Sequence, residues 1–223
     1  MSFVDHGSIN YRDEVTRKMV HLCSLSIPVI CYYIPKSIAV EILLVLSILA
    51  VVTDVARYYV PVLAKVVQIA FGKIMRKHEM DELKKNLNGA TYVFLSALLC
   101  VWLFPKVIFI TAFTILIVSD TTAALIGRKF GKHKFLMKSL EGTTAFFVSA
   151  VIVIFLTPKA GYHIPMEYVI GIIAAFVGCI IENISFGWAD DNLSIPLSIG
   201  LTMWGLYHVL LPTLSLILPN VPL

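Results

Sequence analysis

The chain has 223 residues, of which 58% are hydrophobic and 14% are charged, and its formal net charge is +4 at pH 7. Soluble domains carry roughly 25% charged residues, so this composition excludes an ordinary soluble protein and predicts an integral membrane protein. The four cysteines lie inside apolar runs without short paired spacing, which argues against a thiolate metal site or a disulfide framework and predicts small core or lipid-facing residues.

Seven apolar runs approach the ~20 residues that a helix needs to cross the hydrocarbon layer. They lie at residues 20–35, 38–58, 90–104, 106–126, 143–157, 166–184 and 195–218. The third and fifth are short, so we expect neighbouring residues or a locally thinned bilayer to complete them. Since no repeat or linker divides the chain, the expected fold is one all-α domain over residues 1–223, with about seven transmembrane helices.

The distribution of lysine and arginine predicts the orientation, because these residues accumulate on the cytoplasmic side of a membrane. Of the 18 basic residues, 15 fall in the N-terminus, in the loop after the second run and in the loop after the fourth. These 15 are Arg12, Arg17, Lys18, Arg57, Lys65, Lys73, Arg76, Lys77, Lys84, Lys85, Arg128, Lys129, Lys132, Lys134 and Lys138. Only Lys36, Lys106 and Lys159 fall on the opposite side. We therefore expect a multi-pass protein with a cytoplasmic N-terminus and its C-terminus across the membrane.

The long loop after the second run contains an amphipathic pattern that begins at Pro61. Polar or small residues recur every three or four positions at Lys65, Gln68, Gly72 and Arg76, and apolar residues fill the other face. This pattern predicts a helix lying in the membrane interface. The run 77–85 mixes both signs of charge, which is typical of a solvated helix face.

Two groups of polar residues lie at the ends of the first apolar runs. A helix would place Glu14, Arg17, Lys18 and His21 on one face at the entry to the first run, either as a functional group or as an ion pair with a positively charged membrane anchor. At the end of the second run, Asp54 with Arg57 is either functional or a buried ion pair.

Asp120 lies near the cytoplasmic end of the fourth run, with the small residues Ala123, Ala124 and Gly127 at the following helical positions. An ionisable residue inside an apolar span costs a few kcal/mol and usually marks a functional site or pairs with another polar group. We interpret Asp120 as functional.

The loop that follows Asp120 is suited to phosphate. Gly127 and Gly131 would let the backbone approach a phosphate closely, and the basic residues between 128 and 138 could neutralise it. The segment Lys138-Ser-Leu-Glu-Gly142 then offers a cation, a hydroxyl and a carboxylate, which suits a nucleotide bound through Mg²⁺. The alternative for the basic loop is attraction to anionic lipid headgroups.

The segment 189–196 places Asp190, Asp191 and Asn192 before the last run, and Glu182 lies near the end of the sixth. Carboxylate and amide oxygens are ligands that Mg²⁺ prefers, so the segment suggests metal coordination. The alternative is an aspartate-rich turn before a helix whose first turn holds Pro196.

Six motifs in this order resemble those of the CTP-dependent lipid kinases, the family of dolichol kinase, phytol kinase and yeast-type diacylglycerol kinase, with a more distant similarity to phosphatidate cytidylyltransferases. The motifs are Glu14-x-x-Arg17-Lys18-x-x-His21, Asp54-x-x-Arg57, Arg76-x-x-Glu79 followed by Asn88-Gly89-Ala90-Thr91-Tyr92, Asp120-x-x-Ala123 with Gly127 and Gly131, Lys138-Ser139-x-Glu141-Gly142 with Phe146, and Asp191-Asn192-Leu193-x-Ile195-Pro196. Together they cover nearly the whole chain.

The resemblance implies transfer of the γ-phosphate of CTP to the hydroxyl of a membrane lipid alcohol, such as a polyprenol, phytol or diacylglycerol, at the cytoplasmic face of the bilayer. It implies Mg²⁺ as cofactor and no nucleic-acid partner. The expected metal ligands are Asp120, Glu141, Asp191 and Glu182. The residues expected to bind the nucleotide or offset its charge are Arg17, Lys18, Gly127, Arg128, Gly131, Lys132, Lys138, Ser139, Gly142 and Asn192. His21 or a carboxylate would accept the proton of the lipid hydroxyl.

Two other classes of protein remain alternatives. A phosphatidate cytidylyltransferase would share CTP, Mg²⁺ and the membrane, but its signature of a basic-acidic histidine and a paired-aspartate ending is not matched. A transporter would use intramembrane acids such as Asp54, Asp120 and Glu182, yet it needs a polar path through the midplane. These acids crowd one side, with Glu41 as the expected exception near the far face.

Overall fold

The computed structural model describes residues 10–72, 75, 87–185, 190–219 and 221–222. This part of the chain folds into nine helices and one two-stranded antiparallel hairpin. The helices are α1 (Tyr11–Cys23), α2 (Ser26–Tyr33), α3 (Lys36–Ala56), α4 (Pro61–Phe71), α5 (Gly89–Leu103), α6 (Lys106–Phe130), α7 (Leu140–Leu156), α8 (Pro165–Ile184) and α9 (Asp191–Leu210), and the strands are β1 (Lys134–Phe135) and β2 (Lys138–Ser139). The prediction of an all-α fold therefore holds apart from the hairpin.

Within the described residues, four helices are long and apolar enough to cross a membrane, namely α3, α6, α8 and α9. The apolar helices α5 and α7 coincide with the two short predicted runs. At 1.5 Å per residue their 15 and 17 residues reach about 22 and 25 Å, less than the ~30 Å hydrocarbon core. The protein is thus a helical membrane protein, and the count of seven crossings and the position of its termini stay predictions.

Helix α6 is the centre of the fold, and α1, α2, α5, α7 and α9 all pack against it. Its apolar residues point in nearly every direction, and Phe109, Phe113 and Leu116 are fully enclosed by neighbouring helices. A helix that is apolar all round buries all its faces, whereas α3 buries one face and exposes a row of leucines and isoleucines. Three of the four free cysteines are buried and Cys23 is exposed, as their apolar surroundings predicted.

Two predicted runs differ from the helices observed. The run 20–35 is interrupted at Ser24 and Leu25, where backbone bonds to residues three positions earlier close α1 before α2 begins. The run 195–218 is helical only to Leu210. Pro196 lies inside α9 and not in its first turn, so the carbonyl of Asn192 cannot receive the usual helical N–H.

A helix begins at Pro61 as predicted, namely α4, and none of its residues is buried; its position in the membrane interface stays a prediction. The mixed-charge run 77–85 and the motif Arg76-x-x-Glu79 lie outside the described residues.

The predicted polar groups meet near the C-terminal end of α6, and the three remaining lysines lie near its N-terminal end. Each of these lysines donates to backbone carbonyls at a helix C-terminus. Lys36 bonds to Phe104 O at 3.0 Å, Lys106 bonds to Ile34 O, and Lys159 bonds to Ile154 O. A cation at a helix C-terminus satisfies carbonyls that lack helical partners and opposes the negative end of the dipole.

Glu41 is not the sole acid near that far end. Glu167 lies there in the first turn of α8, is 1% exposed, and accepts hydrogen bonds from the backbone N–H of Ala160 and Gly161 and from the hydroxyl of Tyr207. It fastens the connection before α8 to the end of α9.

Candidate functional site

A buried ion pair joins α1 to the central helix. The ammonium of Lys18 donates to Oδ2 of Asp120, and both side chains are almost completely enclosed. His21, one turn further along α1, places its Nε2 3.7 Å from the same carboxylate oxygen. The helical spacing in the sequence therefore predicted correctly which residues of α1 share a face.

A second ion pair on α1 joins the basic end of α6. Arg17 donates to both carboxylate oxygens of Glu14, at 2.6 and 3.2 Å, and Arg128 lies 3.4 Å from Glu14 Oε2. Burial alone would raise the pKa of Glu14, but the hydrogen bond and charge of Arg17, together with the charges of Lys18 and Arg128, lower it to about 2. Glu14 thus holds two cations in place.

A third pair links the hairpin to α8. Lys138 on β2 donates to Glu182 Oε1. The neighbouring Asn183 accepts from the backbone N–H of Met137 at 2.8 Å and of Lys138 at 3.2 Å, and its amide donates to the hydroxyl of Thr143 at 2.6 Å. Asn183 is fully buried and thereby fixes the position of Lys138.

Asp190 and Asp191 lie at the start of α9, and both carboxylates accept from the backbone N–H of Asn192. Asp190 is the N-cap of α9, and its carboxylate accepts from the backbone N–H and the side-chain amide of Asn192 at 2.9 and 2.8 Å. The charge of Asp191 acts on the cations of the other elements. Burial lowers the pKa of Lys138, but the charges of Glu182 and Asp191 outweigh it and the net shift is upward. Asp190 therefore caps the helix, and metal coordination by Asp191 stays a prediction.

These side chains form one group, which we name the Asp120 cluster. It consists of Arg17, Lys18, His21, Asp120, Lys138, Glu182 and Asp191. The charges of Asp120 and Asp191 both act on Arg17 of α1 and on Lys138 of the hairpin, so the charged groups of these five elements influence one another. Burial of Lys18 lowers its pKa against the attraction of Asp120.

Several polar atoms at or beside the cluster have no hydrogen-bond partner among the described residues. They are His21 Nε2, Glu182 Oε2, Ser119 Oγ and Thr121 Oγ1. The last two belong to the residues that flank Asp120. Leaving a buried polar group unpaired costs roughly 1–3 kcal/mol, so such groups usually have a ligand or a functional reason.

The glycines predicted to bind phosphate or nucleotide, Gly127, Gly131 and Gly142, pack closely against neighbouring segments of the chain. A Cβ added to Gly142 would lie 3.0 Å from Ala123 O and 3.1 Å from the Cα of Gly127, and one added to Gly131 would lie 2.9 Å from Ser139 Oγ. Ser139 caps α7, and its hydroxyl accepts from the Gly142 N–H at 3.2 Å. These glycines let α6, α7 and the hairpin pack closely, which the sequence pattern did not reveal; their contact with nucleotide stays a prediction.

Glu141 is the predicted ligand that the structure does not bring to Asp120. It accepts from the backbone N–H of His133 at 3.2 Å, and its Oε1 lies 2.8 Å from His133 Nδ1. It thus closes the base of the hairpin. Lys132 is exposed near it and makes no contact with the cluster that the structure describes.

Asp54, left open between function and an ion pair, is a structural junction. Its carboxylate forms an ion pair with Arg57, whose Nε lies 2.8 Å away, and accepts from the Asn88 backbone N–H at 2.6 Å and from the Thr91 hydroxyl at 3.0 Å. Asn88 in turn caps α5 by accepting from the Thr91 N–H. The motif residues Asn88 to Thr91 therefore fasten the start of α5 to the end of α3.

The carboxylates of the Asp120 cluster do not form a complete Mg²⁺ site, but they are the type of ligand that Mg²⁺ binds. Among residues 10–72, 87–185 and 190–219, no three His, Cys, Asp or Glu side chains lie close enough to form a metal cage. However, Mg²⁺ commonly takes only one or two protein carboxylates and completes its shell with phosphate and water. Asp120, Asp191 and the unpaired Oε2 of Glu182 supply oxygens of this kind, so the donors suit an ion that arrives with a nucleotide.

Comparison with known proteins identifies relatives over most of the chain. It is 33% identical over 192 residues to the uncharacterized protein RP860 of Rickettsia prowazekii, covering 83% of this chain and 90% of the relative. It is 28% identical over 156 residues to CTP-dependent diacylglycerol kinase 1 of Schizosaccharomyces pombe (64% and 69%), and 29% identical over 203 residues to the phytol kinase of Synechocystis sp. (86% and 78%). The chain belongs to the CTP-dependent lipid kinase family.

No protein-family model and no solved structure matches the chain. Within the CTP-dependent lipid kinase family, the named relatives act on different lipids, so membership supports a kinase of the membrane without selecting its acceptor. The Asp120 cluster joins residues from four of the six motifs on which the family resemblance rests.

Proposed function

We propose that the protein transfers the γ-phosphate of CTP to the hydroxyl of a membrane lipid alcohol, with the reaction at the cytoplasmic end of the helical bundle. The observation that carries this proposal is the Asp120 cluster, which gathers three cations and three carboxylates at one end of α6. Phosphoryl transfer requires positioning and neutralisation of charge more than covalent chemistry. A cluster of alternating cations and carboxylates suits a triphosphate and its metal ion.

In this proposal the cations have distinct tasks. Lys138, held by Glu182 and by the hairpin's bonds to Asn183, offsets charge on the transferred phosphoryl group. Arg17 and Arg128, aligned by Glu14, bind the remaining phosphates. Guanidinium groups suit this task because they donate two parallel hydrogen bonds to phosphate oxygens.

The carboxylates would hold Mg²⁺ when the nucleotide is bound. Asp120 and Asp191 are the main candidates, and Glu182 adds its unpaired Oε2. The ion would neutralise charge on the phosphates as the P–O bond to CDP breaks. Lys18 then pairs with Asp120 and holds its carboxylate in place before the nucleotide arrives.

The lipid hydroxyl must lose a proton as its oxygen bonds to the γ-phosphorus and CDP leaves. His21 is our candidate acceptor, because its Nε2 is buried, lacks a hydrogen-bond partner among the described residues and lies beside Asp120. A general base needs hydrogen-bond reach to the proton it removes. The lipid would approach sideways between helices, with its alcohol at the headgroup level.

The proposal is tested with purified protein, Mg²⁺ and nucleotide labelled at either the γ- or the α-phosphate. The acceptor panel contains polyprenols, phytol, diacylglycerol and phosphatidate. We expect label from the γ position in a lipid alcohol, with CTP preferred over ATP. Label from the α position in phosphatidate would establish a cytidylyltransferase, and transfer to none of these lipids would contradict the proposal.

A further inference from the structure

The hairpin between α6 and α7 is held at the end of the bundle. Only residues 131–139 separate the two helices, and these helices approach each other closely where Gly127 meets Gly142. A connection this short between two apolar helices of a membrane protein cannot extend far from the membrane surface. Its position is therefore set by the bilayer as well as by the fold.

The body of the hairpin is firmly fixed. Lys134 pairs with Ser139 and Phe135 pairs with Lys138, so that Leu136 and Met137 form a two-residue tip. The backbone N–H of Met137 is bonded to the buried Asn183, and Glu141 binds the start of the hairpin at His133. The tip thus presents its side chains from a rigid base.

Leu136 at this tip has a backbone conformation that is unfavourable for leucine. Its φ is +51°, in the left-handed region that glycine and asparagine adopt more readily. The side chain gains little from the protein in return, since Leu136 is 50% exposed and Met137 is 55% exposed. Strain retained at an exposed apolar residue points to a contact outside the chain.

The surroundings of the tip match an anionic membrane surface. Lys129, Lys132 and Lys134 are exposed around it, and no acidic residue occurs between positions 121 and 140. Phe130 and Leu140, which flank the hairpin, are also about half exposed. Apolar groups ringed by lysines are typical of segments that enter the headgroup layer of acidic lipids.

We propose that Leu136 and Met137 insert into the leaflet next to the Asp120 cluster, while the surrounding lysines contact lipid phosphates. Since Lys138 follows the tip directly and pairs with Glu182, this insertion fixes the depth of the cluster relative to the lipid headgroups. The partner is the lipid leaflet itself and not a second protein. The inference does not depend on the proposed reaction.

Site-directed spin labelling tests the insertion. In a Cys23→Ser background, which removes the exposed cysteine, a nitroxide is attached at Met137→Cys or, as the matched control in the same loop, at Lys132→Cys. The protein is placed in vesicles of phosphatidylglycerol and phosphatidylcholine. We expect the label at 137 to collide more often with oxygen than with a water-soluble nickel chelate, and the label at 132 to show the reverse.

Equal access of the nickel chelate to both labels would overturn the proposal, as would dipolar broadening at 137, which would indicate a second copy of the chain. A Leu136→Gly variant separates insertion from folding. We expect its thermal midpoint in detergent to equal or exceed that of the parent, while the label at 137 in vesicles becomes at least twofold more accessible to the chelate. A lower midpoint with unchanged accessibility would assign Leu136 to the fold alone.

Discussion

Lys18 and Asp120 form a buried ion pair across 102 positions of the sequence, and it joins the amphipathic first helix to the centre of the bundle. Both side chains are almost completely buried, so water cannot take the place of either partner. The pair therefore connects the fold to the chemistry we propose, because Asp120 is correctly placed only while Lys18 balances its charge.

Variants of the Lys18–Asp120 pair distinguish an effect on protein stability from an effect on kinase activity. Removing one partner of a buried ion pair typically costs about 3–5 kcal/mol, because the other charge stays buried without compensation. We expect Lys18→Met to lower the thermal midpoint strongly, and the double variant Lys18→Met with Asp120→Asn to recover much of the loss. Neither variant should regain kinase activity. Recovery of activity in the double variant would show that neither residue is needed for the reaction.

Glu182 and Glu141 provide a matched pair of acids on either side of Lys138. Glu182 is buried in the Asp120 cluster, whereas Glu141 binds His133. We expect Glu182→Gln to lower kcat by about 10²-fold or more, as removal of one electrostatic stabiliser commonly does. Glu141→Gln should retain most of the activity while loosening the hairpin. The activity of both variants is measured as initial rates across CTP and Mg²⁺ concentrations. A larger loss of kcat in Glu141→Gln than in Glu182→Gln would support Glu141 as a ligand of the reacting complex.

The close contact of α6 with α7 can be tested at glycine. In Gly142→Ala the new Cβ would lie about 3 Å from three atoms, two of them backbone atoms of α6. Forced overpacking typically costs about 1–3 kcal/mol. Gly205→Ala in α9 is the control, since nothing lies within 4 Å of its new Cβ and alanine favours a helix by up to about 1 kcal/mol. Thermal unfolding should move in opposite directions for the two variants, and a neutral Gly142→Ala would show that the helices can separate freely.

Acidification should weaken the junction of α1 with α6 through Glu14. Its pKa of about 2 lies below the ordinary value of 4.5, so the unfolded chain binds a proton at higher pH than the folded protein does. The stabilisation, about 3 kcal/mol by linkage, is complete above pH about 4.5 and is lost as the pH falls toward 2. We expect Glu14→Gln to reduce the loss of thermal midpoint over this range, and Asp13→Asn on the same turn to leave it unchanged. If the thermal midpoint of Glu14→Gln falls with pH just as that of the parent does, groups other than Glu14 cause the acid sensitivity.

Much of the fold could be predicted because helix period and membrane length act locally. The spacing of Glu14, Lys18 and His21 placed them on one face, and the apolar run around Asp120 placed its carboxylate near one end of a central helix. The break at Ser24 and the end of α9 at Leu210 were missed. Apolar residues continue through both points, so hydropathy alone does not mark the change.

The sequence predicted which residues belong to the site better than it predicted which of their side chains pair with each other. Composition and motif order indicated Asp120, Lys138 and Asp191, but no local pattern shows that Lys138 pairs with Glu182 while Glu141 pairs with His133. Those choices depend on how α7 and α8 pack around the hairpin. Glu167 was missed because an acid in the first turn of a helix is ordinarily a favourable surface residue.

The most direct test of the central claim compares γ-labelled CTP as donor for the parent, Asp120→Asn and Glu41→Gln. Glu41 is an exposed acid of α3 and provides the matched carboxylate-to-amide control. Label transferred to a lipid alcohol is measured on protein whose folding is verified by its thermal transition. The account predicts transfer by the parent and by Glu41→Gln, and a loss of at least about 10²-fold for folded Asp120→Asn. Full transfer by folded Asp120→Asn would contradict it.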